Sequence, residues 1–196
     1  MRRAFWILLF VSCSLSLSAR SLQAQDISNP FAQLNQIGTT DHAAKHILQV
    51  AGQDPTVRQQ AAEKLPEMID KPEINEIWLN AVRLAGKLKV LETLPSLQRA
   101  FLRGQLGRPA NTTMGTEMML NDDVVGKALS EIGDPSLPAV SGFLKSADPK
   151  MRRRAVLILM NIDSSASRSL VLRHLPNETD PRIRGLIKQW KDNLSL

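Results

Sequence analysis

The residues whose types and spacing come closest to chemistry are Asp41, His42 and His46, in the stretch DHAAKH. Two histidines four positions apart share one face of a helix, and neutral imidazoles so placed could hold zinc once a third ligand arrived. The sequence brings none nearby, because the third histidine, His174, stands far along the chain. A surface helix with Asp41 as its N-cap accounts for the same residues without a metal. The sequence contains no HExxH, no phosphate-cradling glycine loop and no nucleophile with a base placed near it. The expectation is therefore a protein with no catalytic residue, no metal and no cofactor. The alternative is an enzyme or accessory subunit, either lyase-like or metal-dependent.

Binding chemistry has more to work with. Arg152, Arg153 and Arg154 form the densest basic run, beside Lys150. Successive residues on a helix point about 100° apart, so the three cannot all face one ligand. Arg153 and Arg154 are expected nearer solvent, and Arg182, Arg184, Lys188 and Lys191 extend a basic strip on the next helix. Such a strip attracts acidic polymers, with an affinity that falls as salt rises. Residues 104–121 (GQLGRPANTTMGTEMMLN) break the helical pattern with Gly104, Gly107, Pro109 and Gly115. Their Met114, Met118 and Met119 offer adaptable apolar contacts. The candidate partner-binding residues are thus Arg153, Arg154, Arg182, Lys188, Met114, Met118 and Met119. Asn111 and Asn177 each open an Asn-x-Thr glycosylation triplet, a pattern common by chance.

The start of the chain bears on which partners are accessible. Arg2 and Arg3 precede a mostly apolar stretch from Ala4 to Leu17, and small and polar residues follow. That is the layout of a secretory signal peptide over residues 1–24, with cleavage after Ala24 or Ala19. An uncleaved anchor is the alternative. Cys13 is the single cysteine; "FVSC" resembles a lipobox faintly, with Phe10 where such boxes usually carry Leu. Cleavage after Ala24 leaves no cysteine, and so no disulfide, Cys-ligated zinc or Cys nucleophile. The expected location is periplasmic or extracellular, with an unidentified protein partner, no nucleic acid and no membrane span after cleavage. The formal net charge of +6 falls to +3 once Arg2, Arg3 and Arg20 are set aside. It is unevenly spread: residues 145–196 hold eleven Lys and Arg against five Asp and Glu, and residues 25–144 eleven against fourteen. A molecule polarised in this way could orient toward an acidic partner.

The elements that position these side chains are helices. Residues 25–40 read as a linker and residues 41–196 as one helical domain. Runs such as HAAKHILQVA and MRRRAVLILMNI space apolar residues at three and four, and no stretch alternates long enough for a strand. Tyr is absent and aromatics are few, so the core must rest on Leu, Ile, Val, Ala and Met. One phrase returns three times: DPTVR at 54, DPKMR at 148 and DPRIR at 180. Asp accepts hydrogen bonds from the free N–H groups of a first turn, and Pro at the first helical position has no N–H to lose. Each phrase therefore starts a helix, followed by a buried stripe: Val57, Ala61, Leu65; Met151, Ala155, Leu159; Ile183, Ile187. The stripes Ile77–Ala81–Ala85 and Val124–Ala128–Ile132 lack that opening, and their central Ala permits close helix approach. Leu-Pro segments at 94 and 137, each leading to a Phe-Leu pair, mark the helices between.

Paired helices of this kind, with Asp-Pro-x-x-Arg opening the second and 32 residues from Asp148 to Asp180, resemble HEAT repeats of the short, phycobilisome-lyase-like kind. The resemblance covers roughly residues 41–194, is closest over 133–194 and weakest in the middle. It implies an all-α superhelix, a HEAT-like solenoid of about four or five helix pairs, because no pair buries its apolar face alone. It also implies a ladder along the second helices, with Asp54, Arg58, Asp148, Arg152, Asp180 and Arg184 as rungs. The helix around Ile77 lacks both Asp and Arg and the one around Val124 lacks the Arg, which interrupts such a ladder. The function this implies is a non-enzymatic scaffold offering a repeat-built groove to a protein partner. Deoxyhypusine hydroxylases carry repeated His-Glu pairs on a fold of this kind, and this chain has no His-Glu dipeptide.

Overall fold

The computed structural model of the protein describes residues 30–36, 38–105 and 123–194. Within them the chain forms α1 (Pro30–Leu34), α2 (Thr40–Val50), α3 (Pro55–Asp70), α4 (Glu76–Lys87), α5 (Leu94–Leu102), α6 (Val124–Ile132), α7 (Leu137–Ser141), α8 (Pro149–Ile162), α9 (Ser165–His174) and α10 (Pro181–Leu194). Short 3-10 turns precede α5 and α7 and follow α7 and α9. The described residues are all-helical and contain no strand. None of their helices is long and apolar enough to cross a membrane. The signal-peptide and lipobox readings of residues 1–24, and Met114, Met118 and Met119, lie outside the described residues.

Each Asp-Pro phrase starts a helix by the expected chemistry. The Asp54 carboxylate accepts from the Thr56 N–H at 2.8 Å, that of Asp148 from Lys150 at 2.9 Å, and that of Asp180 from Arg182 at 2.8 Å. α4 and α6 are capped instead by Asn75 and Asp123, through the N–H groups of Trp78 and Gly126. The start of the domain differs from expectation in two ways. Residues 30–34 are helical rather than linker, because Phe31 and Leu34 have an apolar face to cover and bury it against α2. α2 begins at Thr40 with Thr39 at the N-cap position, two residues earlier than expected, so Asp41 is not its N-cap; it accepts from Asn80 Nδ2 at 2.8 Å and ties α2 to α4.

Packing follows a simple order. α2, α4, α6, α8 and α10 each pack on the next of that series, while α3 packs on α5 and α5 on α7. The two series also touch: α3 on α4, α5 on α6, α7 on α8, and α9 on both α8 and α10. The predicted stripes are where they meet. Ala61, Leu65, Ala81, Ala85, Ala155, Leu159 and Ile187 are wholly buried. The two Phe residues of the Leu-Pro segments stack, Phe101 on Phe143, with ring centroids 4.4 Å apart. α4 and α6 approach closely, since a Cβ on Gly86 would stand 2.7 Å from the Cα of Ala128. Trp78 fills the space between α3 and α4 and donates its indole N–H to the Ile69 carbonyl at 3.0 Å.

The Asp-Pro phrase does not mark one series of helices. Asp148 and Asp180 open α8 and α10, which pack together, but Asp54 opens α3, a helix of the other series. A cap is a local device that fixes where a helix starts and leaves its neighbours to the side chains further along. The expected Asp–Arg ladder is corrected for the same reason. All three Asp carboxylates are engaged by their own helix N-termini. Arg58 donates to the Leu88 carbonyl at 2.9 Å, Arg184 to the Thr179 carbonyl at 3.3 Å, and Arg152 chiefly to Glu178.

Candidate functional site: an ion-lined cleft

The arginine run separates as helix geometry requires, but not in the expected sense. Arg154 is buried, 3 % exposed, which corrects its assignment to the partner-binding surface. It shares a face of α8 with Met151, Ala155 and Ile158, so it enters the core, where its charge needs a partner. Asp123, 1 % exposed, supplies it: Nε and Nη2 of Arg154 reach the carboxylate at 2.7 and 2.9 Å. Its remaining donors go to the Phe101 and Gln105 carbonyls, and its guanidinium lies 3.9 Å from the Phe101 ring centroid. One side chain thus gathers the residues flanking 106–122, Gln105 on one side and Asp123 on the other. This is a structural junction, closed to solvent.

Arg152 turns the other way, into a cleft of about 650 Å³ between α7, the start of α8 and α9. Its Nη1 donates to the Ser146 carbonyl at 2.9 Å and its Nε and Nη2 to Glu178, the shortest bond being 2.8 Å. Glu178 has a side chain with no solvent exposure. It also accepts from the Asp180 N–H at 2.8 Å and lies 2.7 Å from His174 Nε2. Burial pushes its carboxyl up. The hydrogen bonds from Arg152, the Asp180 N–H and His174, with the charge of Arg152, outweigh that and bring it from 4.5 down to about 2. Glu178 is therefore an anion throughout the physiological range, pinning the starts of α8 and α10 to the end of α9.

Above this floor the cleft presents Lys145, Arg173 and His174 as basic groups, Ser146, Asn177 and Thr179 as polar ones, and Leu144 and Leu170 as apolar wall. Lys145 and Arg173 are exposed, and among the described residues neither forms an ion pair. Sequence reasoning missed this site. His174 and Glu178 stand four apart across a Leu-Pro turn, not along one helix, and Arg152 arrives from 26 residues away. The signal available was the spacing itself, His and Glu four apart just before an Asp-Pro helix start.

The other expected residues fall elsewhere. His42 and His46 are exposed on α2, and the described residues hold no group of three His, Cys, Asp or Glu side chains able to bind a metal ion. Half-buried Arg153 and exposed Arg182 line a separate, smaller pocket of about 350 Å³ with Leu186 and Gln189. Lys188 is exposed on α10. Comparison with known proteins returns no match: no family model, no curated protein and no solved structure matches this chain.

Proposed function

We propose that the protein is a non-enzymatic interaction scaffold, a HEAT-like α-solenoid of about four or five helix pairs. In this reading it is exported through the signal formed by residues 1–24 and works in the periplasm or outside the cell. The observation that carries the reading is the packing order. α2, α4, α6, α8 and α10 stack one on the next, and α3, α5 and α7 do the same, with the two Leu-Pro segments side by side as the Phe101–Phe143 stack illustrates. Arrays in which each unit contacts only its neighbours present long, continuous side surfaces, and those surfaces are what repeat proteins use to hold partners. The cleft beside Arg152 and the exposed Arg182 and Lys188 of α10 belong to that surface.

Affinity capture of the full chain from the cell envelope at mild salt, with mass spectrometry of what co-purifies, tests the proposal. One recurrent protein partner is the expected result. Co-purification of a metal or pigment with no protein partner overturns the scaffold reading and favours the enzyme class.

A further inference from the structure

We propose that the cleft beside Arg152 binds carboxylate side chains of an acidic peptide segment on a protein partner, with Lys145 and Arg173 as the groups that receive them. The inference rests on the partner-binding reading and gives it a location and a chemistry. Four basic residues line the cleft, and no Asp or Glu does so among the described residues. Arg152 is already committed: its donors lie on Glu178, Ser146 and Ala147 and its charge is matched by the Glu178 carboxylate, so it shapes the cleft and leaves ligand contact to others. Lys145 and Arg173 differ, being exposed at the cleft and without a carboxylate partner among the described residues. Arg173 uses only its Nε, on the Ser169 carbonyl at 3.3 Å, which leaves its two terminal nitrogens to fork onto a carboxylate.

The walls decide between kinds of anion. Leu144 and Leu170 offer apolar surface that a bare inorganic oxyanion cannot cover, whereas the methylene groups of Asp and Glu can. Ser146, Asn177 and Thr179 supply hydroxyl and amide groups for a peptide backbone. At about 650 Å³ the space lies within the roughly 300–1,000 Å³ of ordinary ligand clefts. The excess of positive charge over residues 145–196 would guide an acidic segment toward this end of the molecule.

The test is fluorescence anisotropy of the full chain with fluorescein-labelled hexaglutamate, beside hexaglutamine and inorganic phosphate. Hexaglutamate is expected to bind at least about 10-fold more tightly than hexaglutamine and to weaken as salt rises. The double variant Lys145→Ala/Arg173→Ala should lose at least about 10-fold, and Lys71→Ala/Lys127→Ala, an equal change of charge away from the cleft, should stay within about twofold. Equal binding by the cleft variant and the parent overturns the proposal. So does displacement of hexaglutamate by phosphate below about 1 mM, which would assign the cleft to small oxyanions. A captured partner that ignores the cleft variant sinks this assignment and leaves the scaffold reading standing. Hexaglutamate bound at the cleft with no protein captured does the reverse.

Discussion

Arg152 and Arg154 are two residues apart on one helix, and each meets a buried carboxylate, yet the regions they organise are opposites. Around Arg154 everything faces inward: Asp123, two backbone carbonyls and the Phe101 ring use every side of the guanidinium. Around Arg152 the carboxylate is equally covered, but the arginine and its neighbour His174 form one wall of an open cleft. A buried ion pair by itself says little about function. What separates a structural junction from a candidate site is whether cations without carboxylate partners stand beside it in contact with water.

The sharpest way to break this contrast is to remove Arg154. Arg154→Met leaves Asp123 in the core without its partner and should lower the unfolding free energy by about 3–5 kcal/mol in urea denaturation. A loss under about 1 kcal/mol would mean that the junction is wet and the two regions are alike. Next in size is Glu178. Its folded carboxyl, held at about 2 against 4.5, stabilises the protein fully above 4.5 and loses that effect as pH falls toward 2. The stabilisation at neutral pH is on the order of 3 kcal/mol. Glu178→Gln should therefore be clearly less stable than the parent at pH 7, with the difference closing on acidification. A constant difference from pH 7 to pH 2 would remove Glu178 as the titrating group.

The close-packed middle of the molecule gives a third measure. Gly86→Ala improves helix propensity, but its Cβ would collide with the Ala128 backbone at 2.7 Å and stand 2.8 Å from Glu131 Oε2. Net destabilisation of about 1–3 kcal/mol is expected, read from the urea midpoint. Stabilisation instead would show that α4 and α6 have room to part.

How much of this was legible depends on how local each signal is. Asp54, Asp148 and Asp180 announced their helices because a cap and its N–H groups lie within three residues. The Ala stripes announced buried faces, Ala128 included, because burial repeats with the helical period. The neighbours of α3 were not legible, since the same cap serves either series of helices. Arg154 was misread although a signal existed: with Met151, Ala155, Ile158 and Ile162 it occupies an inward position at helical spacing, where a charge demands a buried partner. Nothing local tied it to Asp123, 31 residues earlier and just after the break in the pattern. The cleft was the least legible, because Lys145, Arg152 and Arg173 belong to three different segments that only packing brings together.

The smallest expected effect sharpens the contrast most. Lys145→Ala/Arg173→Ala removes two charges from the cleft, and neither side chain pairs with a carboxylate among the described residues. Exposed substitutions away from caps and networks change stability by less than about 0.5 kcal/mol, and this variant should stay near that bound in urea. A loss above about 1 kcal/mol would show that Lys145 and Arg173 belong to the folding network, as Arg154 does, and would leave the cleft without groups held ready for a ligand. A neutral result establishes that these two cations cost the fold nothing to keep and give it nothing in return, which is the condition a binding surface has to meet.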